Sequence, residues 1–143
     1  MQDYKKLEVW TKAHVLVKEV YALTILFPKE ELYGLVSQIR RAAVSIPTNI
    51  AEGSGKSTQK DFGRYLQIAF GSANEVEYLL LLSFELSFVK NEDYQKTQIK
   101  IEQVKKMLAG LLKLVNGKRL PLSRNPSTEK TVNQELLTAN QKP

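Results

Sequence analysis

A row of polar side chains in the second predicted helix has the spacing of a single cluster. Along residues 33–53, apolar residues recur at intervals of three and four, and a polar stripe lies directly beside them. Polar groups next to a core are either hydrogen-bonded to one another or form a binding site. We interpret them as a structural network in which Arg41 pairs with Glu52 or Glu75, and the alternative is a recognition groove. This polar seam comprises Gln38, Arg41, Ser45, Asn49, Glu52 and Glu75.

A second group of residues has the chemistry to bind phosphate. Lys56, Lys60 and Arg64 are spaced four residues apart around the start of the third predicted helix, whose N-terminus also favours anions. Arg40 points about 100° around the helix from Arg41, towards solvent or a neighbouring subunit. The alternative is a solvated, charged helix face. The predicted nucleic-acid-binding residues are Arg40, Lys56, Lys60, Arg64, Lys118 and Arg119.

The sequence lacks the residues that a metal site or a catalytic site would need. The 143 residues include no cysteine and one histidine, His14, which excludes a thiolate site and a multi-histidine metal centre within one chain. Glu52, Glu75 and Glu77 lack the Glu-x-x-His pairs of a di-metal bundle. A Gly-Lys-Ser tripeptide follows the second helix, but Ile50 stands where a P-loop needs glycine. We therefore expect no enzyme activity, metal or cofactor, and we interpret His14 as a core or interface histidine.

Four segments have helical periodicity, and none has a strand pattern. Thr58 and Asp61 have the spacing of a capping box at the start of the third helix. Gly53 and Gly55 predict that the second helix ends in a left-handed cap. Because short connections place consecutive helices antiparallel, the predicted fold class is all-α, an antiparallel up-down-up-down four-helix bundle. The predicted helices are residues 5–26, 33–53, 57–87 and 91–117.

The chain is predicted to divide into a bundle and a tail. Residues 1–117 form the bundle, and residues 118–143 form a basic, disordered tail with almost no apolar periodicity. The N-terminal residues lack the apolar region of a signal peptide, and the longest wholly apolar run is residues 78–82. We therefore expect a cytoplasmic protein with no membrane partner.

One end of the third helix predicts a subunit interface. Residues 76–82 are apolar nearly all round, whereas a helix in a small bundle needs only one buried face. A locally thick core in a monomer is the alternative. The predicted interface residues, which lie opposite the main apolar stripe of this helix, are Tyr78, Leu81 and Leu82.

Several motifs in order resemble one bacterial family over residues 3–117. They are Leu7-Glu8-Val9-Trp10, Phe27-Pro28, Tyr33-Gly34-Leu35, Gln38-Ile39-Arg40-Arg41-Ala42, Ser45-Ile46-Pro47, Asn49-Ile50-Ala51-Glu52-Gly53 and Ala69-Phe70-Gly71-Ser72-Ala73-Asn74-Glu75. The chain resembles the four helix bundle proteins, also called 23S rRNA intervening-sequence proteins because some are encoded within insertions in 23S ribosomal RNA genes. Phe70 departs from the pattern, since members often carry arginine at this position, which makes the region less basic.

The resemblance implies a ring, typically a homopentamer. A weaker similarity links the chain to the accessory variability proteins of diversity-generating retroelements, which are pentameric bundles that bind nucleic acid and a reverse transcriptase. The first functional hypothesis is a non-enzymatic ring-forming bundle that binds RNA or DNA through repeated basic patches. The alternative is a protein–protein scaffold or adaptor, such as an accessory subunit for a reverse transcriptase.

Overall fold

The computed structural model describes residues 2–119, with side chains described for residues 2–117, and every regular element in this range is helical. The four long helices confirm the predicted fold class, a four-helix bundle. Within these residues, no helix is both long and apolar enough to cross a membrane. The helices are α1 (Glu8–Thr24), α2 (Ser37–Ser54), α3 (Gln59–Glu85) and α4 (Asn91–Arg119), accompanied by the short turns Tyr4–Lys6, Lys29–Glu31 and Leu32–Val36.

The core lies along the axis of the bundle and receives one stripe from each helix. Each helix packs against the next one in the chain, and α4 closes the arrangement against α1. The buried residues recur at three- and four-residue intervals, as a core-facing helical stripe requires. The largest fully buried side chains in this core are Leu16, Ile39, Ile46, Ile50, Leu66, Leu80, Ile101 and Leu108.

Local sequence signals predict the start of α3 correctly, whereas other helix ends differ from the prediction. The Thr58 hydroxyl accepts a hydrogen bond from the Asp61 backbone N–H at 3.1 Å, which confirms the predicted cap of α3. The start of α2 differs from the prediction, because a π-helical turn, Leu32–Val36, precedes the α-helix, and Gly34 inside that turn has non-helical dihedral angles (φ −111°, ψ −106°). At the other end, α4 continues through Gly117 to Arg119. The predicted tail beyond residue 119 lies outside the described residues.

Pro47 lies inside α2, which continues on both sides of it. Proline has no N–H group and therefore removes one hydrogen bond of the helix. Two neighbouring side chains add hydrogen bonds to carbonyl groups in the preceding turn: Thr48 Oγ1 donates to the Val44 oxygen at 2.7 Å, and Asn49 Nδ2 donates to the Ser45 oxygen at 2.8 Å. Pro47 itself is buried and packs as an apolar residue.

The predicted left-handed cap of α2 is wrong. Gly55 has φ −83° and ψ −5°, and no glycine among the described residues has a positive φ. Glycine is needed at position 53 for close packing between helices and not for a left-handed conformation. It is buried, and a Cβ atom at this position would lie 2.7 Å from Tyr65 Cβ and 3.0 Å from Phe62 Cδ1 of α3. The absent side chain therefore lets α2 and α3 approach each other closely.

Gly53→Ala should destabilise the fold by about 1–3 kcal/mol, since the added methyl group overpacks the contact between α2 and α3. Gly110→Ala is the matched control, because Gly110 is exposed in α4 and has no atom within 4 Å of a Cβ. That substitution should be neutral or stabilising by up to about 1 kcal/mol. Urea unfolding measures both variants, and equal stabilities would contradict the close-contact explanation.

Candidate nucleic-acid interface

Three exposed cations lie together where α2 turns into α3. Lys56 follows α2, and Lys60 and Arg64 lie in the first two turns of α3. Tyr65 connects two of them, with Lys56 Nζ 5.2 Å and Arg64 Cζ 5.6 Å from the centre of its ring. The structure thus brings together the three predicted residues Lys56, Lys60 and Arg64, which we call the basic patch.

The basic patch keeps most of its charge available to an anion. The only ion pair in it among the described residues joins Arg64 Nη2 to Asp61 Oδ1 at 3.9 Å, and the Arg64 side chain is 68% exposed. Lys56 and Lys60 form no ion pair within the described part of the chain. The N-terminus of α3 adds a partial positive charge beside them. The patch can therefore offer two uncompensated ammonium groups and one weakly paired guanidinium to phosphate.

Arg40 is not part of the basic patch. Its Nε donates a hydrogen bond to Thr24 Oγ1 at 2.8 Å, and its guanidinium carbon lies 4.6 Å from the centre of the Tyr21 ring. Thr24 is buried and in turn donates to the Val20 oxygen at 2.8 Å. Arg40 is half-buried by these contacts, which join α1 to α2.

The expected placement of the two arginines is therefore corrected. Arg40 was expected to face solvent or a neighbour, and Arg41 was expected to be structural. In the structure, Arg41 is exposed and has no hydrogen bond or ion pair to the described residues. The physical reason is Thr24, whose hydroxyl offers Arg40 an acceptor on the side of α2 that faces α1.

The polar seam is smaller than predicted. Asn49 Nδ2 donates to Ser45 Oγ at 3.0 Å, and Ser45 Oγ lies 2.8 Å from Ser72 Oγ of α3. Ser72 was not predicted in the seam, although it lies in a run of small residues, Gly71-Ser72-Ala73, that allows close helix approach. The remaining predicted members are exposed and form no side-chain hydrogen bond or ion pair with described residues: Gln38, Arg41, Glu52 and Glu75.

A buried ion pair between α3 and α4 has no counterpart in the prediction. Lys105 is 3% exposed, and its Nζ lies 3.2 Å from Glu77 Oε2. Gln98 Nε2 approaches the same Glu77 oxygen at 3.4 Å. Burial raises the pKa of the nearby Tyr94 hydroxyl, and the Glu77 carboxylate raises this pKa further. Periodicity within α4 cannot show that a carboxylate of α3 meets Lys105, because the partner lies in another helix.

An exposed, mostly apolar groove lies on the surface between α1 and α2. Its two recesses, of about 410 and 500 Å³, meet at Val44. His14 is exposed there and stacks on Trp10 with 4.9 Å between ring centres, so it lies outside the core. We call this surface the α1–α2 groove. Its aromatic lining consists of Tyr4, Trp10, His14, Tyr21 and Tyr33.

The predicted interface residues of α3 have different environments. Tyr78 is 60% exposed, whereas Leu81 and Leu82 are half-buried and Leu82 packs against the core. The local core therefore accounts for part of the apolar character that favoured an interface at this end of α3.

Lys118 and Arg119 lie in the last turn of α4, and their side chains lie outside the described atoms.

The fold and the basic patch define a class, a small helical bundle with a cationic surface at one end. Among residues 2–119, no group of three acidic, histidine or cysteine side chains could hold a metal ion. A family model described as 23S rRNA-intervening sequence protein matches residues 5–110. The chain belongs to this family, which confirms the resemblance in its motifs.

A solved structure supports the same relationship. It comes from Bacteroides thetaiotaomicron and is described as a protein with unknown function from the S23 ribosomal protein family. The two structures have a TM-score of 0.67 and 28% sequence identity, over 73% of this chain and 98% of that one. No curated protein matches the sequence.

Glu77→Ala should destabilise the bundle by about 3 kcal/mol, because it leaves the buried ammonium of Lys105 without its carboxylate. The double variant Glu77→Leu/Lys105→Met replaces both charges with apolar groups and should recover most of that loss. Urea unfolding at neutral pH measures both variants. If the single and double variants were equally unstable, the burial of an unpaired charge would not be the cause.

Proposed function

We propose that this protein is a non-catalytic, oligomeric four-helix bundle that binds RNA or DNA through the basic patch. The observation that carries the proposal is the group of exposed cations at Lys56, Lys60 and Arg64, of which the two lysines have no carboxylate partner. Membership of a family named for 23S rRNA intervening sequences supports RNA as the first choice of ligand. The proposal places the protein in the cytoplasm.

Binding follows from phosphate chemistry. Ammonium and guanidinium groups that contact phosphates release counterions, so affinity falls as salt rises and depends little on base sequence. The topology brings further basic residues to the same end, because a Cβ at Gly63 of α3 would lie 3.3 Å from Val115 of α4. Lys118 and Arg119 follow Val115 within about 6 Å along the helix axis. Arg40 contributes no phosphate contact in this proposal, because Thr24 and Tyr21 hold its guanidinium.

Oligomerisation makes a small patch effective. Three cations per chain supply few phosphate contacts, whereas a ring repeats the patch in each subunit and binds a long nucleic acid multivalently. We propose a homo-oligomer, with the pentamer implied by the family resemblance as the expected form. The scaffold hypothesis has its own support, the exposed α1–α2 groove, and a reverse transcriptase or another protein would then be the partner.

Lys56→Gln/Lys60→Gln should lower the affinity for a structured RNA hairpin about tenfold at low salt and reduce the salt slope by about two. The double variant Lys29→Gln/Lys96→Gln is the control, since it removes the same charge from the opposite end of the bundle, where α1 ends and α4 begins. Fluorescence anisotropy at several salt concentrations, with a DNA duplex of matching sequence in parallel, measures both effects.

Three results would contradict the proposal. RNA and DNA affinities that do not change with salt would exclude phosphate recognition. Equal losses in the two double variants would show that net charge, and not the basic patch, determines binding. Absence of binding at low salt would favour the scaffold hypothesis.

A further inference from the structure

We propose that α2 and the α1–α2 groove of one chain dock against the outer surface of α3 in a second copy, with the two bundles parallel and at the same height. This inference rests on the oligomeric part of the proposed function and assigns the two surfaces and the charge pairs of the contact. It moves the predicted interface from one end of α3 to the whole length of its exposed side.

The first surface exposes several large apolar and aromatic side chains that lie side by side. Tyr33 is 93% exposed, Tyr21 is 41% exposed, and Leu32 and Val44 are exposed beside them. These residues form a contiguous surface with the recess that the half-buried Trp10 lines. Large contiguous apolar areas of this kind mark interaction sites.

The second surface is a stripe of exposed residues along α3, here called the outer stripe of α3. It includes Gly71, which lies in the middle of a 27-residue helix with no atom within 4 Å of a Cβ position. Glycine is unfavourable in an exposed helix interior, but it permits another chain to approach the backbone. Ile68 and Tyr78 flank it as exposed apolar side chains. The full stripe is Arg64, Ile68, Gly71, Glu75 and Tyr78.

The contact between α2 and α3 within one chain fixes the relative heights of the two surfaces. Ser45 and Ser72 are level, because their hydroxyl oxygens are 2.8 Å apart. Gly53 and Tyr65 are also level, because a Cβ atom built on Gly53 would lie 2.7 Å from the Cβ atom of Tyr65. The two helices run antiparallel, and both rise about 1.5 Å per residue.

At those heights the charges of the two surfaces are complementary. Arg41 at one end of α2 is level with Glu75 of α3, and Glu52 at the other end is level with Arg64, each to within about two residues, or about 3 Å along the axis. All four side chains are exposed. Between these pairs, the exposed Val44 of α2 is level with the small and apolar part of the outer stripe of α3. A parallel neighbour at the same height therefore meets opposite charge at both ends of the contact.

A second copy of the chain is favoured as the partner of this surface. The opposite charges meet when two bundles lie side by side, and neither bundle needs to shift along the axis of the other. Two different surfaces of each chain are used, so the contact is heterologous. Such contacts form a closed ring when they repeat by rotation without translation and a whole number of copies completes the turn. The carboxylate that the sequence predicted for Arg41, Glu75, then comes from the neighbouring subunit.

A charge swap in the full chain tests the contact. Arg41→Glu and Glu75→Arg should each weaken self-association about tenfold or more, because each places like charges together. The double variant Arg41→Glu/Glu75→Arg restores opposite charges and should return most of the assembly. Sedimentation velocity at micromolar concentration measures the size, and circular dichroism confirms that each variant is folded. A monomeric natural protein, or a double variant no better than the singles, would overturn the proposal.

A glycine pair provides an independent test. Gly71→Leu should block the neighbour while leaving the single bundle folded, since nothing in its own chain occupies that space. Gly110→Leu is the matched control on α4, where a Cβ also has open space and no contact is proposed. Loss of assembly in the first variant alone supports the interface. Equal loss in both variants, or none in either, would overturn it.

The two proposals fail in different ways. RNA affinity is measured on the Lys56 and Lys60 variants, which leave Arg64 and the rest of the outer stripe of α3 intact. A monomer that binds RNA with a steep salt dependence overturns this interface and keeps the basic patch. A ring that requires Arg41 and Glu75 but binds neither RNA nor DNA supports the interface and overturns nucleic-acid binding.

Discussion

The missing side chain at Gly53 lets α2 and α3 approach closely enough for their polar groups to meet. A Cβ there would collide with Tyr65 at 2.7 Å, and two turns away Ser45 and Ser72 are within hydrogen-bonding distance. This contact has two effects on the surface of the molecule. It directs the short turn that carries Lys56, and it fixes the heights at which the charged residues of both helices are presented.

Periodicity in the sequence determines the fold of this chain well. Apolar residues at three- and four-residue intervals identify all four helices, and the Thr58 hydroxyl caps α3 as its spacing with Asp61 predicts. These features depend on residues close together in the chain, so the sequence contains all the information they need. The grouping of Lys56, Lys60 and Arg64 was predictable for the same reason, since it depends on one turn and one helix.

The errors concern interactions between helices. In α1 two neighbouring apolar stripes are available, and the structure buries the one at Ala13 and Leu16 while leaving His14 exposed at the α1–α2 groove. Periodicity alone cannot choose between stripes about 100° apart. The positions of Arg40 and Lys105 likewise depend on a partner in another helix, Thr24 for the first and Glu77 for the second.

The connection between α2 and α3 has an evolutionary consequence. Every residue from 55 to 60 is exposed, so the segment that carries Lys56 and Lys60 contributes nothing to the core. The charges of Lys56 and Lys60 can change by mutation without a loss of packing, while Gly53 before the segment and the Thr58 hydroxyl within it keep the path of the chain. Selection can therefore alter the charge of this surface independently of folding, so the surface chemistry of the bundle can diverge while its architecture is retained.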